Sequence, residues 1–381
     1  MRTVDVAVVG GGVIGLSVAR ELVRAGVDDV VVLERHPAVG QESSSRANGG
    51  VRAQFTTAPN IAFSLHSLTE FERLERETAT LGFHQTGYLL FTGTERGESS
   101  LRVAADLQRS LGVNTEWLSA EAVLQIAPFL RPDGLRAGTI HRRDGFLDPH
   151  GLVSAFADDL RRAGTEILTS AEVTAIERTG GRFAVATSAG DVSAERVVDA
   201  AGADAGRLSA MLDVDLPVEP VRRNLAFVQA APGPLIPMCV DLDTGVLVRR
   251  DPGGGYVLAY SDPDDPPGWD TSVDPTFLPK LAGRIGNRFP FLEGAPIDPR
   301  QCWAGLYPET PDHHAVIGEL ASAPGLVICA GFGGHGLMHA PAAGRAVAEL
   351  VTHGACTTFD LHPLRPSRFA EHDLVPEAAV F

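Results

Sequence analysis

Apolar residues run almost unbroken over residues 4–9 and stop at glycines. Beyond them Leu16, Ala19, Leu22 and Val23 recur at helical spacing until Gly26, and residues 30–33 form a second short apolar run. Strand, amphipathic helix and strand in such quick succession predict a βαβ unit and hence a parallel sheet. The helical period returns at Ile61, Leu65, Leu68, Phe71 and Leu74, and over residues 152–162 behind Asp148 and Pro149. Residues 172–177 and 196–202 read as further strands of the same sheet. Between residues 217 and 303 the texture changes to short alternating stretches (225–229, 245–249, 256–260) broken by proline and glycine clusters such as 262–268, the pattern of an antiparallel sheet. A buried strand at 326–329 and a helix at 340–352 follow. The expected fold is α/β: a Rossmann-type nucleotide-binding domain assembled from residues 1–85, 144–215 and 315–360, a second, antiparallel-sheet domain from 86–143 and 216–314, and a C-terminal tail, 361–381.

Charge narrows the partners. The 381 residues carry a formal net charge of -16, whereas a nucleic-acid binder needs a basic surface that displaces counterions. Lys280 is the only lysine, so arginine must supply nearly every cationic role. Cys239, Cys302, Cys329 and Cys356 show neither CxxC spacing nor a disulfide pattern, which predicts reduced thiols in a cytoplasmic protein and no metal site. Adjacent His313 and His314 point apart in a loop and do not make a ligand pair. Glycines interrupt the apolar N-terminus too early for a signal peptide, and no run reaches transmembrane length, so no membrane association is expected.

Gly10, Gly12 and Gly15 fit G-x-G-x-x-G between strand and helix. The first permits the tight turn, the second lets backbone approach a pyrophosphate, and the third lets helix and strand pack closely. The following helix presents free N–H groups, from Val13 and Ile14 onward, to phosphates. Glu34 ends the second strand, where an acid can accept hydrogen bonds from a ribose diol. FAD and NAD share this ADP half. The choice of FAD rests on two later segments: SSSRANGG, with Ser44, Ser45, Gly49 and Gly50, and AGFGGHG, with Gly331, Gly334, His335 and Gly336. The second lies between a buried strand and a helix, where N–H groups and the helix dipole suit an electron-rich ring.

These residues resemble the flavoprotein amine oxidoreductases that include D-amino acid oxidase, glycine oxidase and sarcosine oxidase. The resemblance is carried by GGGVIG, Glu34, SSSRANGGVRAQF, DGFLDPHGL, VVDAAGADAG, WAGLYPETPDHHAVIG and GFGGHGLMHAPAAG. The last two look most like the β subunits of heterotetrameric sarcosine oxidase and of dye-linked proline dehydrogenase, which implies hetero-oligomeric partner subunits. The resemblance also implies FAD contacts for Arg35, Val173, Gly202 and Leu337. Tethering relatives hold FAD through a cysteine where this chain has Gly305, so FAD is expected to be non-covalent. Their substrate-binding lysine after GHG is Met338 here, and the lysine they place above the flavin corresponds to Val257, which predicts poor reaction with O2 and leaves room for another acceptor.

The expected reaction is oxidation of the C–N bond of an amino-acid-like, secondary amine: hydride passes from the α-carbon to flavin N5, and the imine is hydrolysed. A carboxylate must then meet arginine. Arg52, after the GG turn, and Arg249, in the second lobe, are the candidates, with Arg249 at least as readable as a surface residue; Tyr307 and Tyr260 are candidate cavity walls, and Met338 reads more as packing than as function. Two rival readings are a 2-hydroxy-acid dehydrogenase and a flavin-bound electron-transfer or assembly subunit.

Overall fold

A computed structural model describes residues 2–262 and 264–379. The first strand, Arg2–Val9, lies at the centre of a sheet, with Val30–Leu33 parallel on one side and Val192–Asp199 parallel on the other. Glu166–Leu168 extends the sheet beyond Val30–Leu33; Leu326–Ala330 extends the other flank in parallel, and Val316–Glu319 pairs with it antiparallel. The strand predicted at 172–177 exists as Val173–Thr179, but it belongs to an antiparallel hairpin with Arg182–Thr187 leaning on Val192–Asp199. Its solvent-facing residues explain why it leaves the parallel stack: outside Ile176 the strand is at most half-buried. Parallel strands are covered on both faces, and the central runs Val30–Leu33 and Leu326–Ala330 are buried at every position.

Two helices close one face. Val13–Arg24 packs against Gly336–His353, and the approach is close because Gly344 faces Ser17: a Cβ there would lie 2.6 Å from the Ser17 carbonyl oxygen. The Ser17 hydroxyl donates to the Ala340 carbonyl at 2.7 Å. This contact brings the N-termini of both helices to the same end of the sheet. Asp148 caps the helix Pro149–Arg162 as expected, its side chain accepting from the His150 N–H.

The second sheet has eight strands, in the order Cys302–Glu309, Glu219–Val228, Tyr256–Ala259, Val246–Arg250, Met238–Asp241, Tyr88–Thr92, Ala137–His141, Glu116–Ser119. All its ladders are antiparallel except Met238–Asp241 with Tyr88–Thr92, which is parallel. That junction joins segments more than a hundred residues apart, where no hairpin dictates direction. Among the described residues, no helix is long and apolar enough to cross a membrane, and no group of His, Cys, Asp or Glu could hold a metal ion.

Candidate active site

Two cavities meet at the glycine-rich turn. The first is bordered by Gly10, Gly12, Glu34, Arg35, Ser44, Val173 and Gly202. The second is lined by Gly12, Val13, Ile14, Ser44, Gly49, Gly50 and Gly202, and by Tyr260, Tyr307, Gly331, Gly334, Gly336 and Leu337 from the far side. Gly12, Ser44 and Gly202 belong to both, so the two form one elongated cleft between the parallel sheet and the second sheet.

The turn at its centre is built for a close backbone approach. Gly10 has φ 111°, and a Cβ there would stand 2.3 Å from the Ala200 carbonyl oxygen. Gly15 lines neither cavity; a Cβ on it would lie 1.9 Å from the Gly10 oxygen, which is the helix-to-strand packing expected of it. Glu34, 7% exposed, accepts from the Gly11 N–H and the His36 N–H, both at 2.8 Å. Gly12 is the helix N-cap and has no side chain to cap with, so Ser44 substitutes: its hydroxyl takes the Val13 N–H at 3.0 Å. Ser45 is instead a loop residue whose hydroxyl donates to the Glu42 carbonyl. Arg35 closes the outer cavity through Asp204 at 2.7 Å and Glu42 at 2.9 Å. At the inner end the Tyr307 ring packs where a Gly334 Cβ would be, 2.5 Å away. Burial raises the Tyr307 hydroxyl above the usual phenol range, so it stays protonated. The cleft's glycine walls, the helix N-terminus beside it and Glu34 at its outer end suit a dinucleotide of FAD's composition.

Besides Gly15 and Ser45, four expected site residues stand outside the cleft lining. Arg52 is 2% exposed and stacks on Phe55 at 3.9 Å; it donates to the Gln54 carbonyl at 2.6 Å and to the Ala379 carbonyl of the C-terminal segment. His335 lies 3.4 Å from the Arg52 guanidinium and edge-on to Phe55. Burial and that guanidinium keep it well below the ordinary imidazole value, hence neutral. Met338 is core packing. Arg249 reaches Asp251 at 3.3 Å and lies over Phe146. Val257, expected at the cavity, is buried outside its lining; Ala259 and Tyr260 supply that wall. Lys280 is paired with Asp262 at 2.6 Å.

Sequence reasoning passed over Arg46 and Arg223, which are the charged side chains among the described lining residues of the inner cavity. Arg46 sits inside SSSRANGG and donates to the Ala304 carbonyl at 2.7 Å. Its Cβ would touch a Cβ on Gly305 at 3.2 Å, so the arginine fills the place a side chain at 305 would claim. Arg223 lies directly across the ladder from Gly305. A strand begun at residue 219 rather than 225 would have placed Val221, Arg223 and Leu225 on one face.

The chain is similar to known proteins along nearly its whole length. The family described as DAO, FAD dependent oxidoreductase, matches residues 5–350. Glycine oxidase of Geobacillus kaustophilus is 30% identical, with 96% of this chain and 97% of that protein covered. FAD-dependent oxidoreductase domain-containing protein 1 of Xenopus laevis is 28% identical over 96% of this chain and 82% of its own length. Among solved structures, L-proline dehydrogenase from P. horikoshii superimposes with a TM-score of 0.93 at 28% identity, covering 98% of this chain and all of that one.

Proposed function

This chain belongs to the DAO family of FAD dependent oxidoreductases, and from that premise we propose that it oxidises the C–N bond of an amino acid, with a secondary amine as the preferred donor. The observation that carries this reading is the inner cavity: among the described residues, the charged side chains in its lining are Arg46 and Arg223. A substrate that carries a carboxylate fits such a wall. Glycine oxidase and proline dehydrogenase, among the similar proteins, are named for amino-acid substrates.

The ADP half of FAD would be held by the turn at Gly10 to Gly15, Glu34, Arg35, Ser44, Val173 and Gly202, and the ring half by Gly49, Gly50, Gly331, Gly334, Gly336 and Leu337. When bound, FAD supplies the hydride acceptor. The protein's own part is to orient the substrate and exclude water. Arg223 would take the substrate carboxylate, since its buried Nε has no hydrogen-bond partner and a planar guanidinium pairs with a carboxylate bidentately. Tyr307 and Tyr260 would wall the substrate in. The residues grouped above as the nucleotide-binding domain would carry FAD, and the second sheet would carry the substrate.

Anaerobic mixing with glycine, sarcosine, L-proline and D-alanine is expected to bleach the flavin with at least one of them. Bleaching by 2-hydroxy acids alone would favour the hydroxy-acid reading, and persistent yellow with every donor would favour an electron-transfer subunit. Acid precipitation is expected to release the flavin into the supernatant, because position 305 has no thiol to hold it; colour retained on the pellet would contradict non-covalent binding. Glu34→Ala is expected to weaken FAD retention by about 1.5 to 3 kcal/mol, the scale of hydrogen bonds to a charged acceptor. The change also frees the Gly11 N–H that shapes the turn. Dialysis followed by flavin quantitation reads the loss.

A further inference from the structure

We propose that Glu309 receives the proton of the substrate's ammonium group and that His313 passes it to solvent. This rests on the amino-acid reading above and adds a route that it lacks. Amino acids are ammonium ions at neutral pH, and hydride can leave the α-carbon only when the nitrogen lone pair is free. A substrate that binds as the ammonium ion must therefore shed a proton inside the cleft.

Glu309 ends the strand Cys302–Glu309, two residues beyond Tyr307. It is 8% exposed, and its Oε1 is buried with no hydrogen-bond partner. Both carboxylate oxygens face Gly333, a lining residue of the inner cavity: they lie 3.2 and 3.5 Å from where a Cβ on Gly333 would be. Glu309 thus stands directly behind Gly333, a lining residue with no side chain to separate the carboxylate from the cleft. Oε1 is 3.7 Å from the Arg223 guanidinium, beyond hydrogen-bond reach. An acceptor and a donor, each buried with an unused atom, thus stand side by side at one wall. Together they match a zwitterion, its carboxylate on Arg223 and its ammonium on Glu309.

The other oxygen leads outward. Oε2 meets His313 Nδ1 at 3.0 Å, and the His313 side chain is 42% exposed. The His313 backbone has φ 57°, a left-handed turn that sets its ring beside the strand end just left. The charged groups around the pair are Arg223 from the second sheet, Asp265 from the segment that follows Tyr260, and Asp312 from the loop, itself held by Arg368. The hydrogen bond to Glu309 raises His313 above the ordinary imidazole value, with partial burial opposing it. The proton leaves the ammonium nitrogen, which keeps the bonding pair as its lone pair, and Glu309 takes it as a neutral acid. In the resting pair the Nδ1–H of His313 donates to the ionised Glu309; once Glu309 is neutral, exchange with water at the exposed ring leaves the imidazole proton on Nε2 and frees Nδ1, which accepts the proton from Glu309 while Nε2 releases its own to water.

The test uses the holoenzyme and the visible spectrum of its flavin, which a ligand in the inner cavity perturbs. Titrations with L-proline, sarcosine and acetate compare wild type with Glu309→Gln, which keeps the shape and removes the charge. Glu309→Gln is expected to weaken amino-acid binding at least tenfold, to leave acetate binding within twofold, and to keep its FAD content. In anaerobic reduction, its rate is expected to rise with pH along a curve displaced upward from wild type. His313→Gln is expected to slow reduction at neutral pH with little effect on affinity. Equal losses for acetate and amino acids, or no loss for either, would overturn the proposal. Failure of every amino acid to bleach the flavin would sink the proposed function, while the comparison of ammonium-bearing ligands with acetate still decides the role of Glu309.

Discussion

Gly15→Ala is expected to yield a chain that no longer retains FAD. The added methyl group would lie 1.9 Å from the Gly10 carbonyl oxygen, and the atom it meets is backbone, not the end of a flexible side chain. Gly10 cannot retreat: it has φ 111°, and the Ala200 carbonyl lies behind it. The helix Val13–Arg24 must therefore lift away from the first strand. Lifting it separates the Val13 N–H from Ser44 and opens the helix contact at Ser17 and Gly344. Overpacking of this kind costs about 1 to 3 kcal/mol, and more where backbone is trapped. The same movement also misplaces the N–H groups that would face the pyrophosphate. Flavin content after gel filtration and the thermal midpoint are the readouts; a yellow protein with an unchanged midpoint would show that the turn can relax.

What the sequence makes legible here is whatever short-range pattern dictates. The βαβ unit is legible because the continuous apolar runs and the 3.6-residue period are local, and the glycines because only glycine tolerates those contacts. Ser44 was visible as a hydroxyl near the turn, though its role as a replacement cap was not, since it depends on a chain crossing at residue 44. Arg52 shows the opposite case. Its position after the GG turn suggested a ligand, yet its guanidinium is taken up by the Gln54 and Ala379 carbonyls, and the second of these comes from the far end of the chain. Arg223 was missed for a related reason: nothing local marks an arginine on a strand as cavity-facing until the pairing with Gly305 fixes its face. The parallel junction between Met238–Asp241 and Tyr88–Thr92 likewise has no signal in either segment alone.

The C-terminal segment was read only as a tail, and it carries the second large effect. Arg368→Met is expected to destabilise the protein by about 3 to 5 kcal/mol at neutral pH, because it strands a buried charge. Arg368 and Asp312 are both fully buried and joined by two hydrogen bonds, at 2.8 and 2.9 Å. Asp312 also takes the His314 N–H at 3.3 Å, and its carbonyl accepts the Glu377 N–H at 3.0 Å. The Glu377 carboxylate in turn gathers Thr57 at 2.7 Å, Asn60 at 3.1 Å and the N–H of Thr56 at 2.9 Å, and so pins the segment that reaches Arg52. Burial pushes the Asp312 carboxyl up, but the hydrogen bonds and charge of Arg368 outweigh it and hold its pKa below the usual range. A depressed folded pKa contributes stability that is full above the unfolded value, about 4, and is lost as pH falls through the folded value. In Arg368→Met the hydrogen bonds and charge of Arg368 are lost while the His314 N–H stays, so burial weighs more heavily, Asp312 takes up a proton at a higher pH and ceases to be an unpaired charge. The deficit relative to wild type should therefore be largest near pH 7 and shrink on acidification toward pH 4. Urea midpoints for the two proteins across that range measure it, and a deficit that stays constant with pH would show that lost packing, not the stranded carboxylate, sets the cost.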